Sequence, residues 1–273
     1  MQHLTLGYLT LDAPPADTVT AAAEAGFKSV GIRITGRRLS DPYTQVVGNP
    51  ATVREIKKRI DDSGIRLSNT SAYHFYPDVT LEHLKPIVDI TAELGAKIIV
   101  ANSYIADEAK FLDVFGPYTD MAGKHGIRLA IEFMKYSEAK TMEGAQRLVE
   151  KSGRDNAGFL IDPLHLNRSG GTPEAIKKVD PKRIIFVQLC DAMKRHDNPD
   201  LPALMKEART ARLVPGKGEL PLYEFLDELP KDTEIEYEVP RPDTAHLPLT
   251  ERAKIAYGDF MNYLKGYAAR KGK

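Results

Sequence analysis

Short runs rich in β-branched and apolar residues alternate along this chain with longer stretches whose composition suits helices. The runs are His3–Thr10, Lys28–Ile34, Ile65–Ala72, Lys97–Ala101, Arg128–Phe133, Ala157–Asp162, Arg183–Leu189 and Thr233–Val239. Helix-compatible stretches between them include Ala16–Ala25, Ala51–Ser63, Leu81–Leu94, Asp107–His125 and Met142–Lys151, and Pro248–Lys265 closes the sequence. Parallel strands need a crossover of this kind, so eight strands with helices between them predict an α/β protein with a single (β/α)8 barrel. Gly26, Gly64, Gly95, Gly126 and Gly153 each stand just before a strand, where a helix C-cap glycine belongs. An open doubly wound sheet is the rival, but it calls for a glycine-rich loop after its first strand, and LGYLTLDAPP has none. No linker or shift in composition interrupts the pattern, which predicts one domain over residues 1–273.

Composition narrows the function. Hydrophobic residues make up 42% and charged residues 28%, which suits a globular chain with a large core. Lys plus Arg total 38 and Asp plus Glu total 38, so no net basic field supports nucleic-acid binding. Cys190 is the single cysteine, and an intrachain disulfide is excluded. No signal peptide or membrane-spanning run is legible, and the expected location is the cytoplasm, with a small molecule as the partner.

Barrel active sites lie at the C-terminal ends of the strands, so the last inward residue of each strand carries the information. In Arg128–Phe133, Leu129, Ile131 and Phe133 share the outward face and leave Glu132 pointing in with Ala130. By the same alternation Asp162 ends its strand inward beyond Phe159 and Ile161. Gln188 lies inward among the outward Ile185, Val187 and Leu189. Glu236 and Glu238 lie inward among Ile235, Tyr237 and Val239. Four neighbouring strands thus aim Glu132, Asp162, Gln188 and Glu238 at one region. Carboxylates so gathered repel one another unless a cation stands among them. An all-oxygen donor set predicts one divalent ion, Mn²⁺ or Mg²⁺, with Co²⁺ or Zn²⁺ also compatible. Glu236, one layer deeper, is the competing ligand and is otherwise read as a buried acid paired with a cation.

The phrases LAIEFM, LIDPLHLNRSGGTPE, FVQLCDA, ARTARLVPGKGELPL and IEYEVPR resemble the xylose-isomerase-like barrel superfamily of sugar-phosphate isomerases and epimerases. The resemblance implies a metal held by Glu132, Asp162, Gln188 and Glu238 on the last four strands. Sugar epimerases of this group mostly carry His at the third position. Gln188 departs from them and is similar to some bacterial 3-dehydroshikimate dehydratases of the same superfamily. His165, in a D-x-x-H arrangement with Asp162, is implied beside the metal as a substrate contact or base. Arg195, Arg209 and Lys217 follow the seventh strand, where one or two of them clamp a carboxylate, phosphate or hydroxyls. Asn102, Tyr73 and His74 form the other wall. His3, His83, His125, His196 and His246 are read as structural or surface residues, and Cys190 as core.

These readings predict a metal-dependent isomerase, epimerase or lyase for a small polyhydroxylated carbonyl compound, with Glu238, Glu132 or His165 moving the proton. Reprotonation makes it an isomerase or epimerase; loss of a β-hydroxyl makes it a dehydratase. An endonuclease IV-like nuclease is disfavoured by the zero net charge and the scarcity of strand-end histidines. A non-catalytic barrel subunit is disfavoured by the intact donor set. A homo-oligomer, or a second subunit beside the barrel, is compatible with the pattern.

Overall fold

Left-handed backbone at Gly26, Gly64 and Gly153 (φ 100°, 67° and 65°) ends three helices immediately ahead of strands. Glycine alone takes this conformation without a Cβ penalty. The computed structural model describes residues 4–41, 43, 46–195 and 199–271, so His3 and His196 lie outside the described residues. The elements in chain order are β1 (Leu4–Leu6), α1 (Tyr8–Leu11), α2 (Pro15–Ala25), β2 (Ser29–Arg33), α3 (Pro50–Ser63), β3 (Arg66–Ser71), α4 (Leu81–Glu93) and β4 (Ile98–Ala101). Then follow α5 (Glu108–Gly123), β5 (Arg128–Glu132), α6 (Met142–Ser152), β6 (Ala157–Ile161), α7 (Pro163–Arg168), β7 (Ile184–Leu189), α8 (Leu201–Thr210), α9 (Leu222–Asp227), β8 (Ile235–Tyr237) and α10 (Leu249–Lys271). Strands β1 to β8 pair in sequence order, all parallel, and β8 returns to β1 to close a barrel. Among the described residues no helix is long and apolar enough to cross a membrane.

Two apolar layers hold the barrel. Outward residues such as Val30, Ile32, Leu129, Ile131, Phe159, Ile161, Val187 and Ile235 pack with the helices in one continuous cluster. Inside, Ile98, Val100, Ala130, Leu160, Ile185 and Phe186 form a separate plug. A fully buried side chain of this size contributes roughly 1.5–3 kcal/mol, so plug and outer layer carry the stability and the upper interior is free to be polar.

Three differences from the sequence reading bear on the site. The first strand stops at Leu6, and the predicted run to Thr10 instead turns into α1. Thr10 Oγ1 donates to the Tyr237 carbonyl (3.0 Å) and accepts from Val239 N (3.1 Å), so a side chain replaces the ladder there. Ile185 faces the interior, not the helices. The β6–β7 pairing jumps from Phe159↔Ile184 to Leu160↔Phe186, and the extra residue turns Ile185 inward. Between β7 and β8, where the sequence reading named no helix, stands α8, whose N-terminus Asp200 caps by accepting from Ala203 N (2.8 Å).

Candidate active site

Asp162 ends β6 and caps α7. One carboxylate oxygen accepts from Leu164 N (2.7 Å) and His165 N (3.3 Å). Its other oxygen accepts from Arg212 Nη1 (2.5 Å), and Arg212 Nη2 reaches Glu238 Oε2 (3.0 Å). The guanidinium is 2% exposed and also donates from Nε to the Ala208 carbonyl (2.6 Å). Arg212 therefore stands between two carboxylates expected to share a metal. Among the described residues no three His, Cys, Asp or Glu side chains close around one point.

The two carboxylates share this arginine unequally. Burial pushes Asp162 up, but Arg212, His165 and the two backbone donors outweigh it and hold the acid below its ordinary value. Burial dominates at Glu238, which lacks those backbone donors and lies near Glu236 and Glu132, and its pKa is raised well above the ordinary range. Leu213, the residue after Arg212, pairs with the Asp191 backbone (2.7 and 2.8 Å), and the Asp191 carboxylate accepts from Gly216 N (2.9 Å), Gly218 N (3.0 Å) and Leu220 N (3.1 Å). The PGKG phrase is thus a turn held by Asp191. Lys217 in it is exposed and does not line the cavity. Arg195 likewise is not in the lining; it approaches Glu207 (3.8 Å), which Arg168 already grips with two bonds.

Glu132 accepts from Asn102 Nδ2 (2.6 Å), which joins the ends of β4 and β5. His165 Nε2 lies 3.7 Å from Glu132 Oε1, too far for a hydrogen bond, and is buried without a partner. Burial lowers the His165 pKa against the opposing pull of Asp162 and Glu132, so the ring is neutral at neutral pH. Gln188 donates from Nε2 to Glu236 Oε1 (3.0 Å), which leaves its Oε1 buried and unpaired.

Glu236 has two amides as partners, not the predicted cation: Gln188, and Asn69, whose Nδ2 lies 2.6 Å from Oε2. A Cβ on Gly31 would stand 2.7 Å from Asn69 Oδ1 and 2.8 Å from Glu236 Oε2, so glycine is required there. Burial raises the Glu236 carboxyl to about 7 against these two hydrogen bonds. The fold then binds this proton more tightly than the unfolded chain does. Stability falls as pH rises from the ordinary carboxylate range to 7, by up to about 1.4 kcal/mol per pH unit. Glu236→Gln is expected to flatten that slope in urea unfolding at pH 5, 6 and 7; an unchanged slope refutes the assignment.

These side chains surround a cavity of about 480 Å³, open mouth included, at the C-terminal ends of the strands. Glu132, Gln188, Glu238, His165, Asn102, His74 and Arg209 line it, with Asp162 behind Arg212 and Tyr73 outside the lining. Sequence reasoning missed Tyr8, Arg33, Arg37 and Arg212. Arg33 was within reach, since outward Val30 and Ile32 leave it the last inward residue of β2.

A parallel barrel with its polar cavity at the strand C-termini is the architecture in which barrel enzymes place their sites. The chain belongs to the xylose isomerase-like TIM barrel family, whose profile matches residues 19–257. It is similar to the 3-dehydroshikimate dehydratase of Pseudomonas putida, with 23% identity over 236 residues, 81% of this chain and 35% of that protein. It is also similar to the inosose isomerase of Bacillus subtilis, with 26% identity over 191 residues, 64% of this chain and 66% of that protein. The chain thus spans about a third of the first relative and 66% of the second. Both relatives are named as enzymes. Among solved structures, the IolI protein with a bound zinc atom superposes with a TM-score of 0.79 at 19% identity, over 98% of this chain and 99% of that one. D-allulose 3-epimerase from Methylomonas sp. gives 0.70 at 16% identity over 97% of each chain.

Proposed function

We propose that the chain is an isomerase, epimerase or lyase that moves a proton next to the carbonyl of a small polyhydroxylated compound, with one divalent ion as cofactor. The carrying observation is the pair of buried, unpartnered atoms, Gln188 Oε1 and His165 Nε2, that stand beside Glu132 and Glu238 in one cavity. Buried polar atoms rarely lack partners; Gln188 Oε1 is an acceptor, and His165 Nε2 accepts in the tautomer that carries its proton on Nδ1. The donor types suit a divalent ion once Arg212 gives up its place between Asp162 and Glu238: Glu132, Asp162 and Glu238 supply carboxylates, and Gln188 adds a neutral oxygen. When bound, the ion supplies Lewis-acid stabilisation of negative charge on a carbonyl oxygen.

The rest falls to the chain. Glu236 orients the Gln188 amide so that its oxygen, not its nitrogen, faces the cavity. Asn102 holds one oxygen of Glu132 and leaves the other directed toward His165. Glu132 and His165 are the groups placed to take and return the proton. The names of the two relatives, an inosose isomerase and a 3-dehydroshikimate dehydratase, fit the two outcomes of that step.

Metal-stripped protein should take up about one Mn²⁺, Mg²⁺, Co²⁺ or Zn²⁺ per chain, and at an ion concentration of 100 Kd gain about 2.7 kcal/mol of stability. Glu132→Ala, Asp162→Ala and Glu238→Ala should each lose this uptake. Incubation of the loaded enzyme with 3-dehydroshikimate and with inosose in heavy water should give dehydration or deuterium exchange at carbon. Elemental analysis finding no metal, with no stabilisation by any of the four ions, refutes the proposal.

A further inference from the structure

The cavity has two walls of opposite charge. Its acidic wall comes from β5, β6 and β8, and across the barrel from β6 stands β2, which ends in Arg33. Arg33 is 4% exposed, yet among the described residues it bonds no carboxylate. Its Nη1 donates to the Ala72 carbonyl (2.9 Å), its Nη2 to Tyr8 Oη (3.2 Å), and its Nε is buried without a partner. Arg37 donates to the same phenol oxygen (3.3 Å), and Arg209 enters from the last turn of α8. Among the described residues none of these three guanidiniums makes an ion pair. His74, buried beside them, has an unpartnered Nδ1. Burial and the nearness of Arg33, Arg37 and Arg209 push its pKa well down, so the ring adds no charge of its own.

Three cations converging on one space repel one another, and desolvating a guanidinium without an anion is unfavourable. Arg212 shows the contrast within the same cavity, since it is fully buried and meets two carboxylates of its own chain. On the opposite wall, among the described residues, no carboxylate bonds Arg33, Arg37 or Arg209; Arg37 feels Tyr8 and, more weakly, Asp12 and Glu238. We propose that Arg33, Arg37 and Arg209, with the Tyr8 hydroxyl and His74, bind an oxyanion of the substrate, a carboxylate or a phosphate. The reacting compound is then a hydroxylated carbonyl acid or ester of phosphate, not a neutral sugar. This rests on the reading of the cavity as the substrate site.

The experiment compares three probes by calorimetry on metal-loaded protein: D-glucitol, D-gluconate and D-glucitol 6-phosphate. One of the two anionic probes should bind about tenfold more tightly than D-glucitol, or better, as charge-assisted hydrogen bonds require. Whichever of them wins identifies carboxylate or phosphate. Arg37→Met and Arg209→Met should each remove most of that preference, while metal content per chain stays unchanged. Equal affinity for the three probes, binding of none of them, or a preference that survives in the double variant overturns the proposal. Metal uptake without an anion preference refutes this inference alone. An anion preference in a chain that takes up no metal refutes the metal-dependent function alone.

Discussion

Arg212→Met is expected to destabilise the metal-free protein by about 3–5 kcal/mol, the usual consequence of removing one partner from a buried charge cluster. Methionine fills much of the same space, so packing is nearly preserved and the change isolates the charge. Asp162 is fully buried and Glu238 is 3% exposed, and among the described residues the guanidinium is the one cation that bonds both. Without it, Asp162 loses the Coulombic attraction that holds its carboxyl down, and Glu238 is pushed higher still. Both acids then favour their protonated forms in the fold, so the deficit should shrink as pH is lowered from 7 to 5. A divalent ion should restore more stability to the variant than to the parent, because in the parent Arg212 competes for the same oxygens. Urea unfolding with and without Mn²⁺ measures both effects. Wild-type stability in the metal-free variant, or equal stabilisation of the two by the ion, means that Arg212 is not the internal counter-ion.

His165→Ala is expected to lower kcat by about 10²- to 10⁴-fold, the range for loss of a positioned acid or base, while metal occupancy hardly changes. The contact of residue 165 with Asp162 is made by its backbone N–H, which alanine keeps. What disappears is an imidazole 3.7 Å from Glu132 with its edge against the Tyr136 ring. Because burial lowers the His165 pKa, the neutral, proton-accepting ring persists below the usual histidine range. The acid limb of the kcat profile should accordingly lie below that range. Steady-state rates read beside metal analysis test the claim. Full activity in the variant removes His165 from the mechanism, and turnover without C–H cleavage overturns the carbon-acid chemistry altogether.

The strand ends were legible because alternation along a strand is local. Leu129 and Ile131 facing the helices leave Glu132 one direction to point, and the same holds for Glu236 and Glu238 on β8. Arg212 was hidden for a different reason. It follows α8, and without that helix nothing in ARTARLVPGKG distinguishes Arg209 from Arg212, or either from the exposed Lys217. The Asp200-Leu-Pro start was a helix signal that went unused. The amide partners of Glu236 lay further out of reach, because Asn69 is 167 residues away and only closure of the barrel joins them.

Both amides that grip Glu236 come from strands that are out of step with a neighbour. On β3 the pairing jumps from Val30↔Leu67 to Gly31↔Asn69, skipping Ser68, just as β7 is skipped at Ile185. Each jump adds one residue to its strand, so Asn69 faces inward although Leu67, two residues before it, packs outward, and Gln188 faces inward although Ile184, four residues before it, packs outward. A family member without either extra residue would pair in an unbroken ladder and still present the same amide inward. Two chains with identical FVQL phrases can therefore share a site even though the residue count upstream, back to the last regular pair, differs by one.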